Sequence, residues 1–219
     1  MVLAIFAHMR AIYMKLVLVL VIVLRGIYSF GIIQSKMADA TNYKVDTTIS
    51  TFKWHASKGL SSHNGYVQCM KGLINMEDSL LTGAFITIDM NSISNTDLSG
   101  SSRKTLVNHL KSDDFFNVEE YKIATLKIKT ARVISRNLDN SKNYEIVADL
   151  TIKGITKEII FKASVGLKAN KIYVEASLDI DSTKYGIGHT SKINLNKKAN
   201  SIKSNTFNLK VSIVANKKD

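Results

Sequence analysis

Apolar and polar residues alternate with period two over most of the chain beyond residue 40. In residues 143–153, Tyr144, Ile146, Ala148, Leu150 and Ile152 fall on one face, and Glu145, Asp149, Thr151 and Lys153 on the other. That is the pattern of a half-buried antiparallel strand, whose successive side chains point to opposite faces. After Gly154, Ile159, Phe161, Ala163, Val165 and Leu167 alternate with polar residues and Asn170 marks a turn. Ile172, Val174, Ala176, Leu178 and Ile180 repeat the pattern, as do Phe207, Leu209, Val211 and Ile213. The first half is less regular. Tyr43 to Lys58, Gly65 to Glu77, Leu80 to Met90 and Tyr121 to Arg136 read as four further strands, which brings the expected number to eight.

These strands exceed the usual 5–6 residues or so. Long strands with one apolar face suit a sheet that curls and closes, because closure removes the exposed edges. Eight strands is the number at which a barrel interior is either filled by side chains or holds one small ligand. The pattern alone does not separate the two and favours a filled core.

Asn91 to Glu120, between the third and fourth strands, does not alternate. Ser99 to Ser102 form a polar turn, and Ser102 is placed to cap a short helix from Arg103. Leu106, Val107 and Leu110 share one helical face. Asp113 or Asp114 then caps a turn that carries Phe115 and Phe116. The segment is expected to cross one end of the barrel as a lid. Leu106, Leu110, Phe115 and Phe116 would turn inward, with His109 and Ser112 tying it to neighbouring backbone.

The N-terminus has a different character. Residues 16–24, LVLVLVIVL, are uniformly apolar and follow Lys15, with Arg10 further upstream. A positive flank and a short apolar core describe a secretory signal peptide, and the run is short of the ~20 residues that span a bilayer. Small-x-small cleavage sites end at Gly31 and at Ala40, and Met14-Lys15 offers an alternative start. The expected division is a leader and linker over 1–40 and a barrel domain over 41–219, in the periplasm or secreted. An uncleaved anchor reaching Ile33 is the alternative.

Composition adds exclusions. The formal charge is +12, from 30 Lys and Arg against 18 Asp and Glu. The lysines are scattered along strands and no nucleic-acid motif accompanies them, so a nucleic-acid partner is not expected. There is no proline, so turns rest on Gly, Asn, Asp and Ser. Cys69 is the single cysteine, which forbids an intramolecular disulfide and reads as a small buried hydrophobe. His55, His63, His109 and His189 match no zinc spacing. Asp113-Asp114 reads as a helix cap rather than a carboxylate dyad, and no nucleophile–base–orienter set can be assembled. Neither an enzyme nor a cofactor is expected. Lys58, Arg103 and Lys111 could meet a phosphate head group, though solvated charge is the plainer reading.

The motifs, taken in order, resemble the YceI-like family of secreted lipid-binding proteins. Tyr43-Lys44-Val45-Asp46 resembles its opening strand, and Trp54-His55-Ala56-Ser57-Lys58 followed by His63-Asn64-Gly65 resembles its W-x-x-x-K…H-x-G region. Residues 83–93 (GAFITIDMNSI), 109–118 (HLKSDDFFNV), 150–157 (LTIKGITK) and 181–187 (DSTKYGI) resemble four further family motifs. The chain departs from the pattern at Ser182, where the family often has Arg, and at Ile123-Ala124, where it often has proline. The resemblance covers roughly residues 43–215. It implies an eight-stranded antiparallel, lipocalin-like β-barrel with a short helical lid between strands three and four. It also implies an apolar tunnel for a polyisoprenoid or another long-chain amphiphile, against the filled core that the pattern favours. Trp54, Phe85, Leu126, Ile128, Ile146, Leu150, Phe161, Val174, Leu178 and Leu209 become the expected tunnel walls, and His63, Arg103, His109, Phe115 and Phe116 the lid or head-group residues. A homodimer is compatible with the sequence.

Overall fold

The computed structural model describes residues 40–58, 61–187 and 205–218. The expected leader, its expected cleavage site at Gly31 and His189 lie outside the described residues. Ala40, which ends the second expected cleavage site, is the first residue of the first strand.

The strands are β1 (Ala40–Val45), β2 (Thr51–Lys58), β3 (Ser61–Glu77), β4 (Leu80–Asp89), β5 (Ile123–Arg136), β6 (Lys142–Ile152), β7 (Ile155–Lys168), β8 (Lys171–Asp181) and β9 (Thr206–Lys217). Every pairing is antiparallel. The sheet runs β1-β3-β2-β9-β8-β7-β6-β5-β4 and closes through β3–β4 and β1–β9. β1 and β2 each lie between β3 and β9 and together make one stave, so the closed barrel has eight. Tyr43 to Lys58 is therefore not the continuous strand that its pattern predicts. Asp46 breaks it: its carboxylate accepts from the Thr48 N–H (3.1 Å) and hydroxyl (2.6 Å), and its carbonyl from the Ser50 N–H (3.1 Å). Such Asx turns compete with the strand ladder.

Three hairpins turn on two residues with positive φ: Asp78-Ser79, Lys153-Gly154 and Ala169-Asn170. Two positive φ values make the turn whose twist matches the flanking strands, which meets the demand that a proline-free chain places on its turns.

Four one-residue bulges decide which side chains point inward. The ladder skips Met70 in β3, Thr82 in β4, and Lys129 and Ile134 in β5. Each extra residue reverses the alternation beyond it. In β4, Leu81 faces the core, but after Thr82 so do Ala84 and Ile86, and Phe85 is turned out.

One end of the barrel is packed solid. Tyr144, Ile172 and Ala215 are fully buried there beside Leu81 and Val165, and the Tyr144 hydroxyl accepts from the Leu81 N–H (3.1 Å). The other end carries helix α1 (Gly100–Lys111). It begins earlier than the expected Arg103 start, because the Ser99 carbonyl already accepts from the Arg103 N–H (3.3 Å). Ser99, not Ser102, is the cap residue, and it makes no side-chain cap bond. The following turn is organised by the Ser112 carbonyl, which accepts from the N–H groups of Phe115 (3.1 Å) and Asn117 (2.8 Å). The Asp113 carboxylate accepts instead from the adjacent Asp114 N–H (3.0 Å).

Candidate functional site

The inward faces of the strands converge on two adjoining cavities rather than on a filled core. The first, about 90 Å³, is walled by residues including Leu126, Ile128, Ile146, Phe161, Val174 and Leu178. The second, about 110 Å³, reaches the lid and is walled by residues including Trp54, Leu110, Phe115, Phe116 and Phe207. Ile88, Ala124, Leu150, Ile180 and Leu209 border both, so the two adjoin along the barrel interior. No charged side chain lines either cavity among the described residues, and Thr125 is the single polar one. Such an interior recognises hydrocarbon by area and shape, with no directional polar contact.

Nine of the ten expected wall residues border one or both cavities: Trp54, Leu126, Ile128, Ile146, Leu150, Phe161, Val174, Leu178 and Leu209. Phe85 does not. It is 44% exposed on the outer face, between Leu73 of β3 and Lys127 of β5, because the bulge at Thr82 reverses its side. Ile86 and Ile88 take the place in the wall that Phe85 was expected to fill.

The lid end is held by a dense polar seam. The chain from Met90 to Leu98 runs beside the first half of β3, where β4 has ended. The Ser94 N–H donates to the Tyr66 carbonyl (3.0 Å), and the Thr96 N–H to that of Asn64 (2.9 Å). Trp54 lays its ring on the second cavity and donates its indole N–H to the Ser94 carbonyl (3.0 Å). That bond satisfies the one polar group on an otherwise apolar wall residue. Across this seam His63 Nδ1 meets Asp97 Oδ2 at 2.7 Å, while Asp97 Oδ1 accepts from the Asn64 N–H (2.7 Å) and the Asn95 amide (2.7 Å). Burial pulls the Asp97 carboxyl upward, but the bonds from Asn64, His63 and Asn95 outweigh it and hold it well below the ordinary 3.8. A carboxyl lowered by folding contributes stability above its unfolded value, and that contribution fades as protons return. Urea midpoints should therefore fall as pH is lowered below about 4, and Asp97→Asn should flatten that fall.

The other lid residues act within the lid. The Arg103 guanidinium Nε donates to the Leu98 carbonyl (2.6 Å), fastening α1 to the chain before it. His109 packs edge-on against Phe115 (centroids 5.1 Å apart) instead of bonding to neighbouring backbone. The Ser112 hydroxyl donates to the His109 carbonyl (2.8 Å), a bond internal to the lid. Leu110 is buried, Leu106 half-buried, and Phe115 and Phe116 are half-buried edges of the second cavity. The side chain of Lys58 lies outside the described residues. His55 meets the Ser57 hydroxyl (3.1 Å) on the surface, and among the described residues no three His, Cys, Asp or Glu gather as a metal site.

Sequence reasoning missed Phe207 as a lid contact: it closes the aromatic run from Phe115 through Phe116, edge-on at 6.3 Å. It stands first in the clean alternation of β9, so its inward direction was visible but its neighbour was not. Met90 and Ile93 also wall the second cavity. Ile93 comes from non-alternating chain, where periodicity gives no signal, and Met90 is the last residue of the expected third strand.

The geometry can be set beside known proteins. A family model described as the YceI-like domain matches residues 43–215. A search of curated protein sequences gave no match. Among solved structures, the barrel is similar to BcnA from Burkholderia cenocepacia, with a TM-score of 0.60 and 19% identity over 78% of this chain and 98% of that one. It is also similar to a polyisoprenoid binding domain from Saccharophagus degradans implicated in plant cell wall breakdown, with a TM-score of 0.56 and 17% identity over 80% of this chain and 98% of that one. At these identities the likeness is one of fold. The family follows from the match across the whole barrel: the chain belongs to the YceI-like family.

Proposed function

We propose that the domain binds one long-chain amphiphile, a polyisoprenoid or a fatty-acid derivative, with its chain in the barrel interior, and carries or stores it in the periplasm or outside the cell. The observation that carries this reading is the pair of adjoining apolar cavities, with no charge on their walls among the described residues. Each buried methylene contributes about 0.8 kcal/mol, so a long chain binds tightly without polar contacts. The cavities are narrow, about 90 and 110 Å³, against roughly 300–1,000 Å³ for common ligand pockets. A slender chain suits them better than a compact ring system, and its uptake requires half-buried wall residues such as Leu126, Phe161 and Phe116 to move aside. The Saccharophagus domain's description as polyisoprenoid binding supports the isoprenoid class, and the apolar leader after Lys15 supports action beyond the inner membrane.

Trp54 is the only tryptophan and lines the second cavity, so it reports occupancy directly. Brominated hexadecanoic acid is expected to quench its emission saturably. Ala124 borders both cavities, so Ala124→Phe places a ring at their junction. It should weaken the quenching at least tenfold while costing about 1–3 kcal/mol of stability. Mass spectrometry of the native protein should show a co-purifying long-chain mass that organic extraction removes. Unquenched Trp54 emission together with protein free of any such mass would overturn the reading.

A further inference from the structure

A ligand chain needs a way in, and both barrel ends are shut. Tyr144 and its fully buried neighbours fill one end, and α1, Phe116 and Phe207 cover the other. The wall itself is interrupted at two seams. β4 pairs with β5 only from Phe85 to Asp89, but that lapse is bridged from behind. The Leu81 N–H goes to the Tyr144 hydroxyl (3.1 Å), and the Lys142 ammonium donates to the Ser79 carbonyl. In the second seam no such bridge joins Ile155–Lys162 to Ser177–Ile180 among the described residues. β7 and β8 leave their hairpin paired from Lys168 and Lys171 up to Ala163 and Ala176, and there the ladder stops. β7 runs on to Ile155 against β6, and β8 runs on to Asp181 against β9, so each lip is held by its other neighbour.

From these observations we infer that the slot between Ile155–Lys162 of β7 and Ser177–Asp181 of β8 is the lateral opening through which the hydrocarbon chain enters and leaves. Continuing the register of the last rung would set Phe161 opposite Leu178 and Ile159 opposite Ile180. Phe161 and Leu178 are walls of the first cavity, and Ile180 borders both, so the slot faces the first cavity where it adjoins the second. On the β7 lip Ile159 and Phe161 are only half-buried, whereas Ala163, at the last rung, and Val165, within the ladder, are buried. The far end of the slot is limited by the turn Ser182–Tyr185, after which Gly186 lies beside the Ile155 side chain. A closed slot of this kind lets a flexible chain pass sideways while the ends, and the hydrogen bonds that seal them, stay intact. The ladder bonds absent there are ones the fold does without, so parting the lips costs no pairing.

The inference rests on the lipid-binding reading, and one experiment separates the two. Ile160 and Asp179 are exposed on the outer face, and the continued register sets them opposite one another. In the full chain carrying Ile160→Cys and Asp179→Cys, a bis-maleimide with an internal disulfide staples the slot and dithiothreitol releases it. Cys69 does not compete, because it is buried and burial pushes its thiol up to about 11. The control staple joins Glu175→Cys to Ser212→Cys, an outward rung of β8 and β9 that is already paired. The readout is the rate at which nitrobenzoxadiazole-tagged hexadecanoate moves from phosphatidylcholine vesicles into the protein. The slot staple should slow transfer at least tenfold and reduction should restore it, while the control staple leaves it unchanged. Equal rates with and without the slot staple overturn the slot and leave the carrier reading standing. No uptake by the unstapled protein overturns both.

Discussion

Gly65→Ala is expected to cost the domain about 3 kcal/mol, a large loss for a single methyl group. Gly65 sits opposite Trp54 on the β2–β3 ladder. A Cβ at this position would lie 1.7 Å from the Ser94 carbonyl oxygen and 2.8 Å from the Trp54 ring. The first of these is backbone, so no rotamer change relieves it. That same carbonyl accepts the Trp54 indole N–H, and its residue is pinned to Tyr66. Lifting the 92–97 segment to admit the methyl group would break several hydrogen bonds, each contributing about 1 kcal/mol, and would uncover the second cavity. Trp54 emission should shift to the red in the native state, and the urea midpoint should fall. Gly72 supplies the comparison. A Cβ there would meet Val45 Cγ2 at 2.5 Å, Ile86 Cδ1 at 2.7 Å and Val45 Cβ at 3.0 Å, and these are side-chain atoms, which can shift without breaking a backbone hydrogen bond. Gly72→Ala should therefore cost clearly less than Gly65→Ala. If the two variants unfold at the same urea concentration, the backbone contact at Ser94 is not what requires glycine.

The contrast between these glycines bears on what the sequence could reveal. Period-two alternation located every strand from β3 to β9, because burying one face of a sheet writes itself directly into the order of residues. It failed where one residue changes the count. Nothing in Leu81-Thr82-Gly83-Ala84-Phe85 marks Thr82 as the bulge, so an alternation anchored on Leu81 carries Phe85 inside. The outward reversal depends on β3, where Asn75 and Met76 pair with Gly83 and Leu81 across the gap, and such a pairing is a non-local fact. The break at Asp46 hid for a related reason. An Asx turn needs two residues to agree locally, and only the shared neighbours β3 and β9 make β1 and β2 one stave. The lid was visible as a non-alternating stretch holding two phenylalanines. Its fastening was not, because Arg103 to Leu98 and His109 to Phe115 are contacts of a folded turn that no periodicity encodes. Phe207 reaches the lid from β9, close to a hundred residues away in sequence.

That aromatic run is where stability and ligand retention should separate. Replacing Phe115 and Phe116 together by alanine is expected to destabilise the domain by about 3 kcal/mol. Two fully buried rings would cost more, but both are half-buried. Each also loses an edge-on partner, His109 at 5.1 Å and Phe207 at 6.3 Å, contacts that contribute roughly 0.5–1.5 kcal/mol apiece beyond area. The rings touch one another at 5.8 Å, so the single variants should not add to the double. The functional consequence follows from the wall they form. Without them the second cavity loses its outer boundary, and a barrel with one lateral slot acquires an open end. Tagged hexadecanoate should then leave the double variant faster than the parent protein. The staple across Ile160→Cys and Asp179→Cys should no longer arrest exchange in that background, since the chain has a second way out. If the staple still arrests exchange after both rings are gone, α1 and Leu110 alone close that end, and Phe115 and Phe116 serve the stability of the lid rather than the containment of the chain.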